Sequence, residues 1–461
     1  MEKGSGRRKR AGLSIALLVL QIVLQPMMVL GVGEEIVGEG ERGSLEQCME
    51  LARRNSYEMQ IERQAVEVEE AEIGIVGSEG YPKVRMYAGS EYTDNIGGGN
   101  RGIGTVGEMF INPYTRYQTI MGIMLSYTVY DFGVNRGRKE IAKRGKVVRE
   151  MEMLHREQEI MIKVIDVYSR IVMKKLQLGI EEEIIGVMEG ELEMKRRLAK
   201  AGEIGRGEVR EVEIRIDRER GKRTEIAREL RTGLLELSYY TGEEYGASGE
   251  EIEGIEGEES GELEVDEKDA EGSIEGKMYL NRIKQKEMEI RVLRRSNYPR
   301  IEAYGRYYMY GMDVNNYGGS LGDIRPTNYT IGGSISMPIF DGNRNRYAIR
   351  KAEMEKKKLE MERAQVEAEY RHRLGALRSN LAYEEERIAD RSGVIRGLEE
   401  RAEIERRRIK AKESGVIGLK EIEIQILEER RELVADEVSR YAIKRTIGLL
   451  QSGIKRGNGD I

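Results

Sequence analysis

The chain switches its hydrophobic period in the same way at two places about 210 residues apart. From Met121 to Val129 every second residue is apolar (Met121, Ile123, Leu125, Tyr127, Val129), and the positions between include Gly122, Ser126 and Thr128. The alternation returns as Ile331, Gly333, Ile335, Met337 and Ile339, with Gly332, Ser334 and Ser336 between. A period of two marks a strand with one apolar face. A second, weaker alternation precedes each, from Val84 and from Ile301, so each half carries a hairpin. The strands are expected at about 84–92 and 119–130, and at about 301–310 and 329–340, with loops at Thr93 to Arg116 and Gly311 to Asn328. Beyond each hairpin the spacing turns helical. Val147, Met151, Leu154, Met161, Ile165, Tyr168 and Val172 recur at steps of three and four, apart from Gln158. That pattern runs from about Asn135 to Ala201 and again from about Asn345 to Glu413, which is roughly 100 Å of helix each time. A Gly-containing turn and a returning helix follow, Glu208 to Tyr240 and Lys420 to Gln451. Shorter helices, about Ser44 to Val76 and Asp269 to Ser296, lead into the hairpins.

The two halves match residue by residue. Tyr81-Pro82-Lys83-Val84 recurs as Tyr298-Pro299-Arg300-Ile301, and Gly122 to Asp131 recurs as Gly332 to Asp341. Asn135-Arg136 is matched to Asn343-Arg344, which makes Phe132 an extra residue of the first half, and Thr128 stands where the second half has Pro338. Gly202-Glu203-Ile204-Gly205 with Glu208-Val209 recurs as Gly415-Val416-Ile417-Gly418 with Glu421-Ile422. Matches in one order at nearly constant offset are a tandem duplication. The expected organisation is a first repeat over 34–241, a solvated Gly- and Glu-rich linker over 242–268, a second repeat over 269–455 and a tail over 456–461. Residues 1–33 carry a basic start (Lys3, Arg7, Arg8, Lys9, Arg10), an apolar run broken by Pro26, and Gly31-Val32-Gly33. They read as a cleaved signal peptide. Cys48 lacks small residues directly before it and reads as a helix residue, not a lipid anchor.

Composition removes other classes. Charged residues make up 35 % of the 461, but 77 Lys+Arg stand against 83 Asp+Glu, without the basic excess that nucleic acid demands. One Cys and two His leave little for a disulfide scaffold or a metal centre. Gly97 to Gly102 fits G-x-G-x-x-G but opens no helix, and His155 and His372 sit in charged helical stretches without triad partners. No catalytic residue, cofactor or metal is expected. Two hairpins give four strands, too few to close a channel, and open edges cannot face lipid. Cyclic assembly of three copies would supply twelve.

In this order of helix, hairpin, long helix, Gly turn and returning helix, all duplicated, the chain resembles the TolC family of outer-membrane efflux proteins over nearly its whole length. The most specific residues are Tyr298 to Ile301, Pro338 to Gly342 and Gly415 to Ile422. The resemblance implies an α+β membrane protein: a homotrimer with a twelve-stranded barrel in the outer membrane above a periplasmic tunnel of coiled-coil helical hairpins. It also implies a periplasmic adaptor and an inner-membrane transporter as partners, in efflux or type I secretion. Ile123, Leu125, Ile335 and Ile339 are then expected to face outer-membrane lipid, and Gly202, Gly205, Gly415 and Gly418 to form the tip turns that dock the adaptor. In the family an acidic stretch narrows the tip. Here it is Glu421-Ile422-Glu423-Ile424, so Glu421 is the candidate gate residue, with Glu208 as its first-half counterpart, while Ile424 replaces a second acid. The bland reading of Glu421 is a helix-start carboxylate favoured by the macrodipole. Two other classes compete with the channel: an adhesive or structural coiled-coil surface protein, which has no need of apolar-out, polar-in strands, and a periplasmic adaptor, which would lack the duplication.

Overall fold

Ser44, Ser56 and Ser273 each open a helix in the same way. The hydroxyl accepts a hydrogen bond from the backbone N–H three residues on, of Gln47, Met59 and Gly276 respectively, which satisfies a donor that the first turn leaves free. The computed structural model describes residues 43–92, 104–106, 109–111, 116–255, 273–411 and 415–456. Ser56 divides the helix expected over 44–76 into α1 (Leu45–Asn55) and α2 (Tyr57–Ser78), because its extended ψ of 134° ends one helix while its side chain caps the next. The signal-peptide segment, the Gly97–Gly102 motif and residues 256–268 of the linker lie outside the described residues.

Strands β1 (Lys83–Tyr92), β4 (Tyr117–Tyr130), β5 (Arg300–Asp313) and β6 (Arg325–Ser336) form one antiparallel sheet in the order β1-β4-β5-β6. A small pair, β2 (Gly104–Val106) and β3 (Met109–Ile111), lies between β1 and β4, within a stretch expected to be loop. β5 runs longer than expected at both ends. β6 begins earlier and stops at Ser336, short of residue 340, since Pro338 has no N–H to give a ladder. Ile339, expected in this strand, therefore lies beyond it and is exposed.

The passage from strand to helix is the same in both halves. Phe132 and Gly133 have φ of 53° and 81°, and Gly342 and Asn343 have 69° and 65°, two consecutive left-handed residues in each case. Asp131 accepts from the N–H groups of Gly133 (3.0 Å) and Asn135 (2.7 Å), and Asp341 accepts from that of Asn345 (2.9 Å). The counterpart of Asn135 is thus Asn345, not Asn343, and Phe132 is no insertion: it matches Gly342. Its ring packs on Tyr130 and Tyr298, at 4.8 and 5.3 Å between centroids, which holds an aromatic residue in a backbone region it normally avoids.

From these junctions run α3 (Val134–Ala201, 68 residues) and α7 (Arg344–Lys410, 67 residues), each about 100 Å long. Their returning partners are α4 (Arg206–Thr241) and α8 (Val416–Arg456); α5 (Ile274–Arg295) leads into the second hairpin, and α6 (Tyr317–Gly322) lies between β5 and β6. α3 packs on both α4 and α8, α8 also packs on α7, and α5 bridges α3 and α7. The main core joins Ile160, Met161, Val164, Ile165, Tyr168, Ile171 and Val172 of α3 to Leu230, Leu234 and Leu237 of α4 and to Cys48 and Ala52 of α1. Burial pushes the Cys48 thiol up to about 11. The described part of the linker, 242–255, is mostly exposed but is anchored to the helices. Ile252 is buried in this core, and the Tyr168 hydroxyl lies 3.0 Å from the carbonyl oxygens of Gly43 and Glu253.

Candidate functional site

Register assigns each strand residue to one of two faces. Ile123 of β4 lies opposite Met86 of β1 and Tyr307 of β5, and Leu125 lies opposite Val84 and Gly305. On β6 the same face receives Tyr329, Ile331, Gly333 and Ile335. Across four strands, from Val84 to Ala88 on β1 and over the rows level with it on the others, this face carries no charge; Asp313, opposite Tyr117, lies beyond it at the loop end. Its side chains are exposed, Ile331 to 84 % and Ile335 to 72 %. The opposite face carries Lys83, Arg85, Ser126, Thr128, Glu302, Arg306, Ser334 and Ser336.

Aromatic groups bound the apolar face at both ends. At the loop end Tyr117 packs on Tyr92 and Tyr317, at 5.1 and 4.8 Å, and at the helix end Tyr130, Phe132 and Tyr298 stack in series. Tyr117 and Tyr130 end the same strand. Thirteen steps of about 3.4 Å, tilted by about 40°, separate them by roughly 34 Å of height, enough to bracket an apolar band of about 25 Å. Among the described residues no helix is long and apolar enough to cross a membrane.

At the far end of the helices, Gly202 closes α3 with φ of 82°, and the N–H of Glu203 reaches back to Leu198 O at 3.0 Å. Gly205 caps α4. In the second half Gly415 directly precedes α8, but Gly418 lies inside the helix, so this expected turn residue is not in a turn. The returning helix starts about one turn earlier than in the first half, and just beyond that turn Leu419 and Ile422 join a cluster with Leu398 and Ala402. Glu208 lies in the first turn of α4, where the macrodipole favours it. Glu421 is the sixth residue of α8, past that influence. Both are exposed, and neither pairs with a described cation. Glu423 is held by Lys420 (2.9 Å) and Arg406 (3.4 Å), and Ile424 is buried among Ile184, Met188, Val212 and Ile216.

Sequence patterns missed a buried polar node between three helices. Glu181 of α3 is fully buried, its Oε2 accepts from Arg431 of α8 at 2.9 Å, and its Oε1 meets no donor. Burial, and then the neighbouring Glu219 of α4, push the Glu181 carboxyl above its usual range. Arg391 likewise joins α7 to buried Asp436 of α8 at 2.7 Å. Alternation on the strands pointed to the faces; nothing distinguished these ions from the other helix charges.

Residues 48–243 and 280–446 match the outer membrane efflux protein family, one stretch in each repeat. The chain belongs to this family. Its fold is that of solved outer-membrane channels. CusC superposes with a TM-score of 0.72 at 14 % identity, over 94 % of this chain and 98 % of its own. CmeC of Campylobacter jejuni gives 0.72 at 14 %, over 92 % and 94 %, and the open state of MtrE of Neisseria gonorrhoeae gives 0.69 at 13 %, over 94 % and 96 %. No curated protein sequence matches. As an outer membrane efflux protein the chain is a subunit of a trimeric channel with a twelve-stranded barrel in the outer membrane and a helical tunnel in the periplasm. It serves efflux across that membrane, and the adhesive-fibre and adaptor readings give way to it. The family is one of channels, not enzymes.

Proposed function

We propose that three copies close this channel along two seams, with the uncharged sheet face toward lipid and the helical tips toward a periplasmic adaptor that links the channel to an inner-membrane transporter. The carrying observation is the height of the uncovered apolar residues. Ile214 lies eight residues into α4, and Ile404 lies six from the end of α7; Leu235 lies twenty-nine in, and Tyr383 twenty-seven from the end. All four are exposed. Nearer the sheet, Ile61, Val68 and Ile75 of α2 and Tyr347, Met354 and Met361 of α7 are exposed at steps of seven, the spacing of a helix–helix seam. The free edges β1 and β6 continue the same closure.

On this reading Ile123, Leu125 and Ile335 meet lipid; Ile339, past the strand end, falls near the aromatic rim. The Gly202–Gly205 turn and Gly415 face the adaptor, and Glu421, with Glu208, lines the tunnel mouth. Leu235→Cys combined with Tyr383→Cys tests the seam, since Cys48 is buried and will not compete. Mild oxidation should give a covalent trimer on denaturing gels, and Leu235→Cys with Ile404→Cys should give none. Monomer alone from the first pair overturns the seam.

A further inference from the structure

Positive charge on the polar face of the sheet is left unanswered at one level. Register sets Arg85 of β1, Met124 of β4, Arg306 of β5 and Thr330 of β6 in one row. Strands lie about 4.8 Å apart, so the two arginine positions are about 10 Å apart across the sheet. Nearer the helices the bases of this face are paired: Lys83 Nζ lies 2.8 Å from Glu79, and Arg300 Nε lies 2.9 Å from Glu302. Among the described residues neither Arg85 nor Arg306 has an ion-pair partner. Glu91 shares the face but lies six residues along β1, about 20 Å from Arg85 and beyond the screening length of about 8 Å in physiological salt.

The row is also built to present its charge. The Arg306 guanidinium lies 5.1 Å from the centroid of the Tyr304 ring, and its Nε, buried against that ring, meets no acceptor. The Tyr304 ring lies over Gly332, where an added Cβ would come within 2.6 Å of its Oη. One row further along, the Tyr308 ring covers Gly122 in the same manner, at 2.4 Å. Glycine at these positions is a floor for a ring; Tyr308 is itself buried, whereas Tyr304 is half-buried and sets an aromatic surface beside the Arg306 guanidinium.

We infer that Arg85 and Arg306 form an anion-binding ring inside the barrel, six guanidinium groups in the trimer, and that the solutes favoured there are amphipathic anions with a carboxylate, sulfonate or phosphate on an aromatic body. This rests on the reading that the polar sheet face lines the channel. Charged rings select by sign in a pore. Guanidinium binds oxyanions through paired N–H donors, while the Tyr304 ring of each copy holds the apolar body.

The test is block of single channels in planar bilayers by pyrenetetrasulfonate added on the side of the strand loops. Wild type should be blocked, more weakly in 1 M than in 0.1 M KCl, and Arg85→Gln with Arg306→Gln should need at least ten-fold more blocker. Block of equal strength in that variant overturns the ring. If the variant does not assemble, wild type alone decides: a tetracationic pyrene should block at least ten-fold less than the tetrasulfonate, and equal block overturns the ring. Accessibility of Ser126→Cys to a water-soluble thiol reagent in the open channel separates the two layers. A reactive thiol without anion block removes the ring only; an unreactive thiol removes the luminal face assignment and the ring with it.

Discussion

Glu181 and Arg431 meet across 250 positions of sequence, and their meeting fixes α8 against α3. Removing one partner of a buried pair leaves a charge without water or counter-charge, at about 3–5 kcal/mol. Arg431→Met should therefore lower the urea midpoint of the purified channel markedly, while Glu181→Leu with Arg431→Met should recover most of the loss. A double variant as unstable as the single one would show that the pair is not the source. On the strands the decisive quantity is depth in lipid. Ile123→Arg or Ile335→Arg should cost roughly 2–4 kcal/mol near the bilayer midplane and reduce insertion, while Ser126→Arg or Ser336→Arg should still assemble. Equal amounts of all four in outer-membrane fractions would refute the face assignment. The strand faces were legible because alternation survives in the sequence. The buried ions were not: with 35 % of the residues charged, a glutamate at a helix crossing looks like one on a wet face until the crossing is known.

Elements were legible where their contacts are local. The hairpins and the two long helices follow from period alone, and the returning helices from the Gly turns. What joins the hairpins, the ladder between β4 and β5, pairs residues about 170 to 200 positions apart and leaves no local mark. Nor does the double left-handed step after Asp131 and Asp341, where the likeness of Asn135-Arg136 to Asn343-Arg344 misleads by two residues. One contact between elements carries a pH dependence. His155 of α3 lies 3.0 Å from Glu275 in the first turn of α5, with Glu159 on its own helix and Arg373 of α7 also nearby. The bond to Glu275, and the charges of Glu275 and Glu159, raise the imidazole above its ordinary 6.5 against burial and Arg373. A raised folded value means that the charged form is favoured in the native state. The stabilisation is fully present below about pH 6.5 and is lost as pH climbs through the folded value, an effect of about 1 kcal/mol or less for a partly exposed pair. Melting temperatures of wild type should fall between pH 5.5 and 8.5 by more than those of His155→Gln. Parallel slopes would mean that this contact does not titrate.

At the scale of the assembly, Glu421 is the residue whose role depends on three-fold symmetry. It is exposed, lies beyond the first turn of α8 and has no described partner, so three copies near the axis would form an acidic ring. Glu421→Ala should reduce cation selectivity and weaken block by a trivalent cation in single-channel recordings. If neither changes, Glu421 is not at the constriction.

The two free strand edges also bear on how such a subunit is made. A single copy offers the ladders of β1 and β6 to any passing chain, and in hydrocarbon each unpaired backbone group costs several kcal/mol. No lipid-embedded monomer is then a resting stage on the way to the mature barrel. Edge closure between copies and entry into the bilayer have to be coupled, and until they are, Lys83 and Arg85 on β1 discourage the wrong pairings.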